Sequence, residues 1–168
     1  MSFTIYQATV PYILRTLGAV SKILDKAAAH CEARKIDPSV LVNYRLAADM
    51  HPLARQIQIM TDQAKGLGAR LTGTEVPSFP DTETSFDELK ARIAKTADYL
   101  QSFEEAKFDG AEDRPVTLKL GANGELNLNG KDYAFGFSLP NFYFHATTTY
   151  DILRHAGVEL GKRDFMGM

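Results

Sequence analysis

The sequence predicts a mainly α-helical protein, an antiparallel four-helix bundle with a small β-hairpin inserted between helices three and four. Three observations support this fold class. Four segments carry apolar residues at three- and four-residue steps, the spacing of one helix face. Capping signals and glycines mark where several of these segments begin and end. One stretch around residue 120 alternates apolar and polar residues, which is typical of strands.

The first predicted helix runs from Thr4 to about Arg34. Thr4 and Gln7 have the spacing of a capping box, in which hydroxyl and amide satisfy each other's backbone donors. Pro11 lies inside the pattern, so it is expected to kink the first two turns or to mark the true start. The apolar stripe of this helix consists of Val10, Ile13, Leu14, Leu17, Val20, Leu24, Ala27 and Cys31.

A short helical turn after Asp37-Pro38 precedes the second long helix, because this pair is a typical N-cap and first helical residue. The second long helix is expected to begin between Asp49 and Pro52 and to end at Gly73. Its apolar seam steps by four and three residues, a spacing suited to packing on other helices. The seam consists of Leu53, Ile57, Met60, Ala64, Leu67 and Leu71.

The third helix follows a loop that contains Pro77 and Pro80. Ser85-Phe86-Asp87-Glu88 forms a second capping box at its start. We expect Phe108-Asp109-Gly110 to close it. The apolar stripe of the third helix consists of Phe86, Leu89, Ile93, Ala97, Leu100 and Phe103.

The hairpin is predicted within about 115–129, where two alternating stretches flank Gly121-Ala122-Asn123-Gly124. A two-stranded hairpin is marginal in water, so it must lie against the helices. We expect it to bury Leu118, Leu120, Leu126 and Leu128. The fourth helix is predicted to begin at Ser138-Leu139-Pro140 and to end at Gly157.

Length and composition fit one globular domain over residues 1–168. A net charge of −2 without a basic stripe argues against nucleic acid as a partner. No apolar run reaches the roughly 18–20 residues of a membrane span, so no membrane association is expected. Cys31 is the only cysteine and cannot form an internal disulfide, which favours a cytoplasmic protein.

Three polar residues are candidates for a metal site. Asp151 and His155 stand four residues apart, so one helix face presents a carboxylate and an imidazole one turn from each other. The same spacing also permits a simple hydrogen bond between the two side chains. His51, near the start of the second long helix, would be the third ligand if that helix neighbours the fourth. Three protein ligands leave room for water or substrate.

His145 is the candidate catalytic residue. It shares an inward-leaning helix face with Phe142, Thr149 and Ile152. A histidine at such a position is either a hydrogen-bonded core residue or an acid, base or ligand in a pocket. The sequence carries no nucleophile-elbow, P-loop or dinucleotide-binding motif, so it has no signature of a particular reaction.

Several blocks of the chain resemble a known family. They include MSFTIYQATVPYILRTLGAVSKILDKAAAH, ARKIDPSVLVNYRLAADMHPLARQIQ and LPNFYFHATTTYDILRHAGVELGKRDFMG. The family is known as domain of unknown function nineteen-ninety-three and is similar to the DinB/YfiT-like superfamily of four-helix bundles. Many members of that superfamily are dimers. Its metal-binding members use three histidines, and His155 resembles the last of these, whereas Asp151 stands where another histidine is usual.

The residues and the resemblance together leave two functional hypotheses open. In the first, the protein is a metal-free or metal-lost bundle that binds a small ligand or serves as a homodimeric structural protein. In the alternative, it is an enzyme of small-molecule or thiol chemistry that depends on a divalent metal such as zinc, nickel or iron. His51, Asp151 and His155 would then hold the ion, with His145 as the acid-base residue.

Overall fold

Four long helices form the frame of the protein in this computed structural model, which describes residues 3–119, 121 and 124–168. The long helices are α1 (Ile5–Arg34), α3 (Leu53–Thr72), α4 (Phe86–Gln101) and α6 (Leu139–His155). Three short helices accompany them: α2 (Pro38–Val42), α5 (Gly130–Asp132) and α7 (Lys162–Met166). Strands β1 (Pro115–Lys119) and β2 (Glu125–Asn129) form one antiparallel hairpin. The predicted fold class, a mainly helical bundle with one hairpin, is confirmed.

The long helices pack in a ring, because α3 contacts both α4 and α6, and α1 contacts the same two helices. The apolar stripes read from the sequence meet in the centre, where the largest buried side chains are fully enclosed. These include Ile13, Leu17, Leu24, Leu53, Ile57, Met60, Leu67, Leu71 and Phe142. Burial of such side chains is the main stabilising contribution to a bundle of this size.

Both predicted capping boxes are present. The backbone N–H of Gln7 donates to Oγ1 of Thr4 over 3.1 Å, and the N–H of Glu88 donates to Oγ of Ser85 over 3.3 Å. Consequently α1 begins at Ile5, with Thr4 as its N-cap, and Pro11 lies inside the helix without ending it. Because Pro11 lies beyond the first turn, its missing N–H removes one intrahelical hydrogen bond, which the rest of this long helix tolerates.

The third long helix ends earlier than expected. Its α-helical part stops at Gln101, and a separate 3₁₀ turn covers Glu105–Phe108. Glu104 adopts an extended backbone between the two, which turns the chain back toward the core. There Phe108 is buried and packs edge-on against Tyr6, with ring centroids 5.1 Å apart. The break therefore lets Phe108 reach the core from a different direction.

The fourth helix begins earlier than expected. Helical structure starts at Gly130, where Oδ1 of Asn129 accepts from the N–H of Asp132 over 2.7 Å. It passes through a π-helical segment, Tyr133–Ser138, directly into α6. Pro140 therefore lies within a continuous helical stretch, and the wider preceding turn accommodates its missing donor. The Asn129-Gly130 pair is the start of this stretch.

The hairpin covers one side of the bundle. Val116 and Leu118 of β1 are buried, whereas Leu126 and Leu128 of β2 are only partly buried against the core. β1 is thus the strand that faces the helices. The sequence analysis overestimated how deeply Leu126 and Leu128 of β2 are buried. Leu120, the fourth residue expected to be buried, lies outside the described residues.

The loop between α3 and α4 is held by one buried guanidinium. Nε of Arg92 donates to Oγ1 of Thr61 over 2.7 Å, and its Nη2 lies 2.9 Å from Asp62 and 3.0 Å from Asp81. Nη1 of Arg92 donates to Glu83 over 3.0 Å. Because Asp81 and Glu83 belong to the loop, this network fastens the loop to both helices.

No helix in the described ranges has the length and apolarity needed to cross a membrane. The C-terminal segment instead packs on the bundle. Phe165 of α7 lies edge-on against Tyr150, with ring centroids 5.9 Å apart, and Lys26 of α1 pairs with Asp164 over 2.6 Å. The C-terminal segment therefore docks its phenylalanine on the core of its own chain.

Candidate functional site

The polar centre of the bundle is a pair of side chains on neighbouring helices. Nδ1 of His145, on α6, lies 2.6 Å from Oε1 of Gln56, on α3. Both residues are almost fully enclosed, with 8% of His145 and 1% of Gln56 exposed. Nε2 of Gln56 donates to the backbone carbonyl of His51 over 3.0 Å, which fixes the orientation of the amide.

The pairing follows from the way α3 and α6 run past each other. Three cross-helix hydrogen bonds define an antiparallel register: Gln56 with His145, Gln63 with Ser138, and Arg70 with Tyr133. Each step of seven residues along α3 corresponds to a step back toward the N-terminus of α6 and the π-helical segment. His145 is therefore aligned with the first turn of α3.

This hydrogen-bond pattern determines the tautomer of His145. Because the amide nitrogen of Gln56 is engaged with His51, its oxygen faces the ring, and Nδ1 of His145 must be the donor. The other ring nitrogen, Nε2, then carries the lone pair in the neutral ring. No side chain or backbone group of the described chain donates a hydrogen bond to Nε2 of His145.

The surroundings of His145 also fix its charge. Burial, with smaller contributions from the nearby charges of His51 and Arg55, lowers the pKa of His145 from 6.5 to about 4. The imidazole is consequently neutral at physiological pH. A neutral ring with an available Nε2 can accept a hydrogen bond, take up a proton or bind a metal.

The residues predicted to form the metal site are not gathered at one point. His51 is exposed on the segment before α3, and its backbone carbonyl, not its imidazole, serves the Gln56–His145 pair. His155 is exposed at the end of α6 and lies beside Tyr44, with ring centroids 6.1 Å apart. Asp151 is half-buried, and no hydrogen bond or ion pair joins its carboxylate to His155.

Across the described residues, no group of three or more His, Cys, Asp or Glu side chains is placed to hold a metal ion. His155 lies ten residues beyond His145, about 15 Å along a helix, and its ring lies beside Tyr44 of the α2–α3 connection. The adjacency of α3 and α6 that the metal site required is present.

Gln56 is the site residue that the sequence reading missed. A signal for it exists, because Gln56 follows Leu53 by three residues and precedes Met60 by four. A polar residue at these steps falls on the buried face of its helix, where it requires a partner. Its partner on α6 is 89 positions away in sequence, and nothing in the local pattern identifies it.

Comparison with known proteins shows the family. The family model described as "Domain of unknown function (DUF1993)" matches residues 5–166. The crystal structure of a DinB family member protein from Shewanella denitrificans is 43% identical in sequence, with a TM-score of 0.91. The alignment covers 98% of this chain and 92% of that one. No curated protein matches. The chain belongs to the DUF1993 family, and the predicted DinB resemblance is confirmed.

Proposed function

We propose that this DUF1993 protein is a small-ligand-binding bundle that uses His145, without a bound metal, as its recognition group. The observation that carries the proposal is the fixed, neutral imidazole of His145, whose Nδ1 is held by Gln56 over 2.6 Å while Nε2 has no partner. Nε2 of His145 is not among the buried polar atoms of the described residues that lack a partner, so this ring nitrogen is accessible from solvent. A ligand that donates a hydrogen bond can therefore reach it.

The neighbourhood of His145 favours a ligand with an apolar part. Phe144 packs edge-on against the ring of His145, with centroids 5.2 Å apart, and remains 56% exposed. An aromatic surface of this size next to a polar acceptor suits a neutral molecule that combines a donor with an apolar group. Because the imidazole itself is uncharged, a neutral hydrogen-bond donor is a suitable partner for Nε2.

Simple neutral donors test this proposal. Phenol and benzamide, titrated into ¹⁵N-labelled protein, are expected to shift the side-chain amide resonances of Gln56 and the backbone amide resonances around position 145 in a saturable manner. The His145→Ala variant should lose the response, whereas His30→Ala, a change on α1 outside the site, should keep it. Absence of any saturable shift with either probe, or an unchanged response in His145→Ala, would contradict the proposal.

The alternative function is a divalent-metal-dependent enzyme of small-molecule or thiol chemistry. One observation favours it, since the neutral imidazole of His145, with Nδ1 held and Nε2 free, can take up a proton as an acid-base residue does. The proposed ligands are His51, Asp151 and His155, which would have to move together around zinc, nickel or iron, with His145 as the acid-base residue. Within the described residues these three side chains are not placed to hold a metal ion together.

Elemental mass spectrometry on untagged protein separates the two functions. Near-stoichiometric metal in the wild type, lost in both His51→Ala and His155→Ala, would establish the alternative. Protein that neither carries metal nor shows a thermal shift with added zinc or nickel would support the metal-free function. Both outcomes are read on the same preparations.

We also propose that the protein is a homodimer. The exposed apolar side chains of Tyr12, Phe135 and Phe144, each more than 40% accessible, support this assembly because large aromatic groups are enriched at subunit interfaces. Light scattering coupled to size exclusion should give twice the chain mass of 18.6 kDa. A monomer over the full concentration range would contradict it.

A further inference from the structure

A cleft of ≈ 460 Å³ lies at the other end of α3 from His145. Its walls are α3, the loop that follows α3, strand β1 and the π-helical segment. The cleft includes the side chains of Arg70, Lys65, Lys119, Asp62 and Phe137. Arg70 is 14 residues from Gln56 on the same helix, a distance of about 21 Å along the axis. The cleft is therefore separate from the His145 site.

Arg70 is held in a defined pose. Its Nη1 donates to the hydroxyl of Tyr133 over 3.1 Å, and its guanidinium carbon lies 5.5 Å from the centroid of the Tyr133 ring. Tyr133 is itself fully buried. A side chain anchored on a buried aromatic ring loses less conformational entropy when it binds a ligand than a free arginine would.

Gly66 makes this pose possible. It lies one helical turn before Arg70, and a Cβ atom added at Gly66 would overlap Nη1 of Arg70. The guanidinium thus folds back over a position that has no side chain. A glycine inside a helix is unfavourable relative to alanine, so the space above Gly66 comes at a cost in stability.

The charge of Arg70 is not neutralised within the described part of the chain. No carboxylate there lies within ion-pairing distance of its guanidinium. Asp62, the acidic residue lining the cleft, is already engaged by Lys65 over 2.7 Å and by Arg92 over 2.9 Å. Lys119 stands opposite Glu125 in the hairpin. No ion pair joins Lys119 to a carboxylate of the described residues, so Arg70 and Lys119 both contribute excess positive charge to the cleft.

An aromatic wall stands next to this charge. Phe137 lines the cleft and stacks on Tyr133, with centroids 6.3 Å apart and an angle of 23° between the planes. Both aromatic residues belong to the π-helical segment Tyr133–Ser138. Such segments occur frequently at functional sites, because the extra residue in the turn changes which side chains face a common surface.

We propose that this cleft binds a small organic anion, whose oxyanion pairs with Arg70 and whose apolar part lies against Phe137. The guanidinium has planar donors that match a carboxylate or a phosphate group. The proposal does not depend on the ligand proposed for His145. The two sites select opposite chemistry, since the cleft requires a negative charge and the His145 site a neutral donor.

Isothermal titration calorimetry tests the site with benzoate, phenyl phosphate and inorganic phosphate. Benzoate or phenyl phosphate should bind, and benzyl alcohol, which lacks the charge, should not. Inorganic phosphate should bind more weakly than phenyl phosphate if the aromatic wall contributes. The Arg70→Gln variant is expected to bind about tenfold or more weakly, because a charge-assisted hydrogen bond is lost.

Gly66→Ala provides a second variant that keeps every charge. Alanine is the better helix former, so this variant should remain folded, while its methyl group displaces the guanidinium of Arg70. We expect several-fold weaker binding of the same anions. Arg34→Gln, at the exposed end of α1, changes the net charge equally and should bind like the wild type, as should His145→Ala.

Three results would overturn the proposal. One is the absence of binding of both organic anions to the wild type. Another is an affinity that Arg70→Gln and Gly66→Ala leave unchanged, because the anion would then be held by general positive charge and not by the Arg70 pose. A loss of binding in Arg34→Gln equal to that in Arg70→Gln would lead to the same conclusion.

Discussion

The short contact of 2.6 Å between Nδ1 of His145 and Oε1 of Gln56 joins α3 to α6 at the buried polar centre of the bundle. It sets the tautomer of the imidazole, and the amide of Gln56 is in turn set by the carbonyl of His51. The orientation of the His145 ring on α6 therefore depends on the first turn of α3 and on the backbone before it. This relationship leads to the first two predictions.

Changing Gln56→Glu should raise the pKa of His145. In the wild type that pKa is lowered to about 4 by burial and by the positive charges nearby. A carboxylate in contact with the ring favours the charged form and is expected to raise the pKa by about 1 to 3. Titration followed by NMR measures the pKa of His145 in both proteins. Gln56→Leu, which introduces no charge, is the control. A pKa that stays near the wild-type value in Gln56→Glu would contradict the contact.

The free energy of unfolding should decrease as the pH is lowered, because of His145. Between about pH 6.5 and pH 4 the unfolded chain binds a proton at this residue and the folded protein does not, so acidification favours unfolding. The lowered pKa corresponds to about 3 kcal/mol, fully present above pH 6.5 and lost as the pH falls toward 4.

Urea unfolding at a series of pH values checks this dependence. The wild type should lose more stability across the window than His145→Gln, and subtracting the two curves removes the contribution of the carboxylates. Parallel curves for the two proteins would show that His145 is not the group responsible.

Replacing Arg92→Met should destabilise the protein by about 3 kcal/mol, because the carboxylates that surround the guanidinium lose their partner. Asp62, Asp81 and Glu83 all lie within 3.0 Å of Arg92, and Glu83 is largely buried. The loop after α3 should then exchange its amide hydrogens faster. Lys90→Met, at an exposed pair with Asp25, is the control and should change neither measurement appreciably.

The helices were predictable because their signals are local. The capping boxes at Thr4 and Ser85, and the seam from Leu53 to Leu71, each lie within one segment and depend on spacing alone. Errors arose where a local signal has two interpretations. Pro140 is typical of a helix start, yet here it follows a π-helical segment that the apolar pattern does not reveal.

The site was less predictable because it depends on register between helices. His145 was identified from its inward-facing position, whereas Gln56 was not, since no local spacing relates two residues on different helices. The metal hypothesis required His51, Asp151 and His155 to converge. No group of three such side chains in the described part of the chain is placed to hold an ion. Arg70 and Tyr133 form a contact of the same kind, distant in sequence and set only by packing.

The tautomer and charge of His145 provide the decisive measurement, and the ring ¹⁵N shifts of labelled protein at neutral pH report both. We expect a neutral ring protonated on Nδ1 in the wild type and a loss of this tautomer preference in Gln56→Leu. A ring protonated on Nε2, or a charged ring at pH 7, would contradict the arrangement on which the proposed function rests.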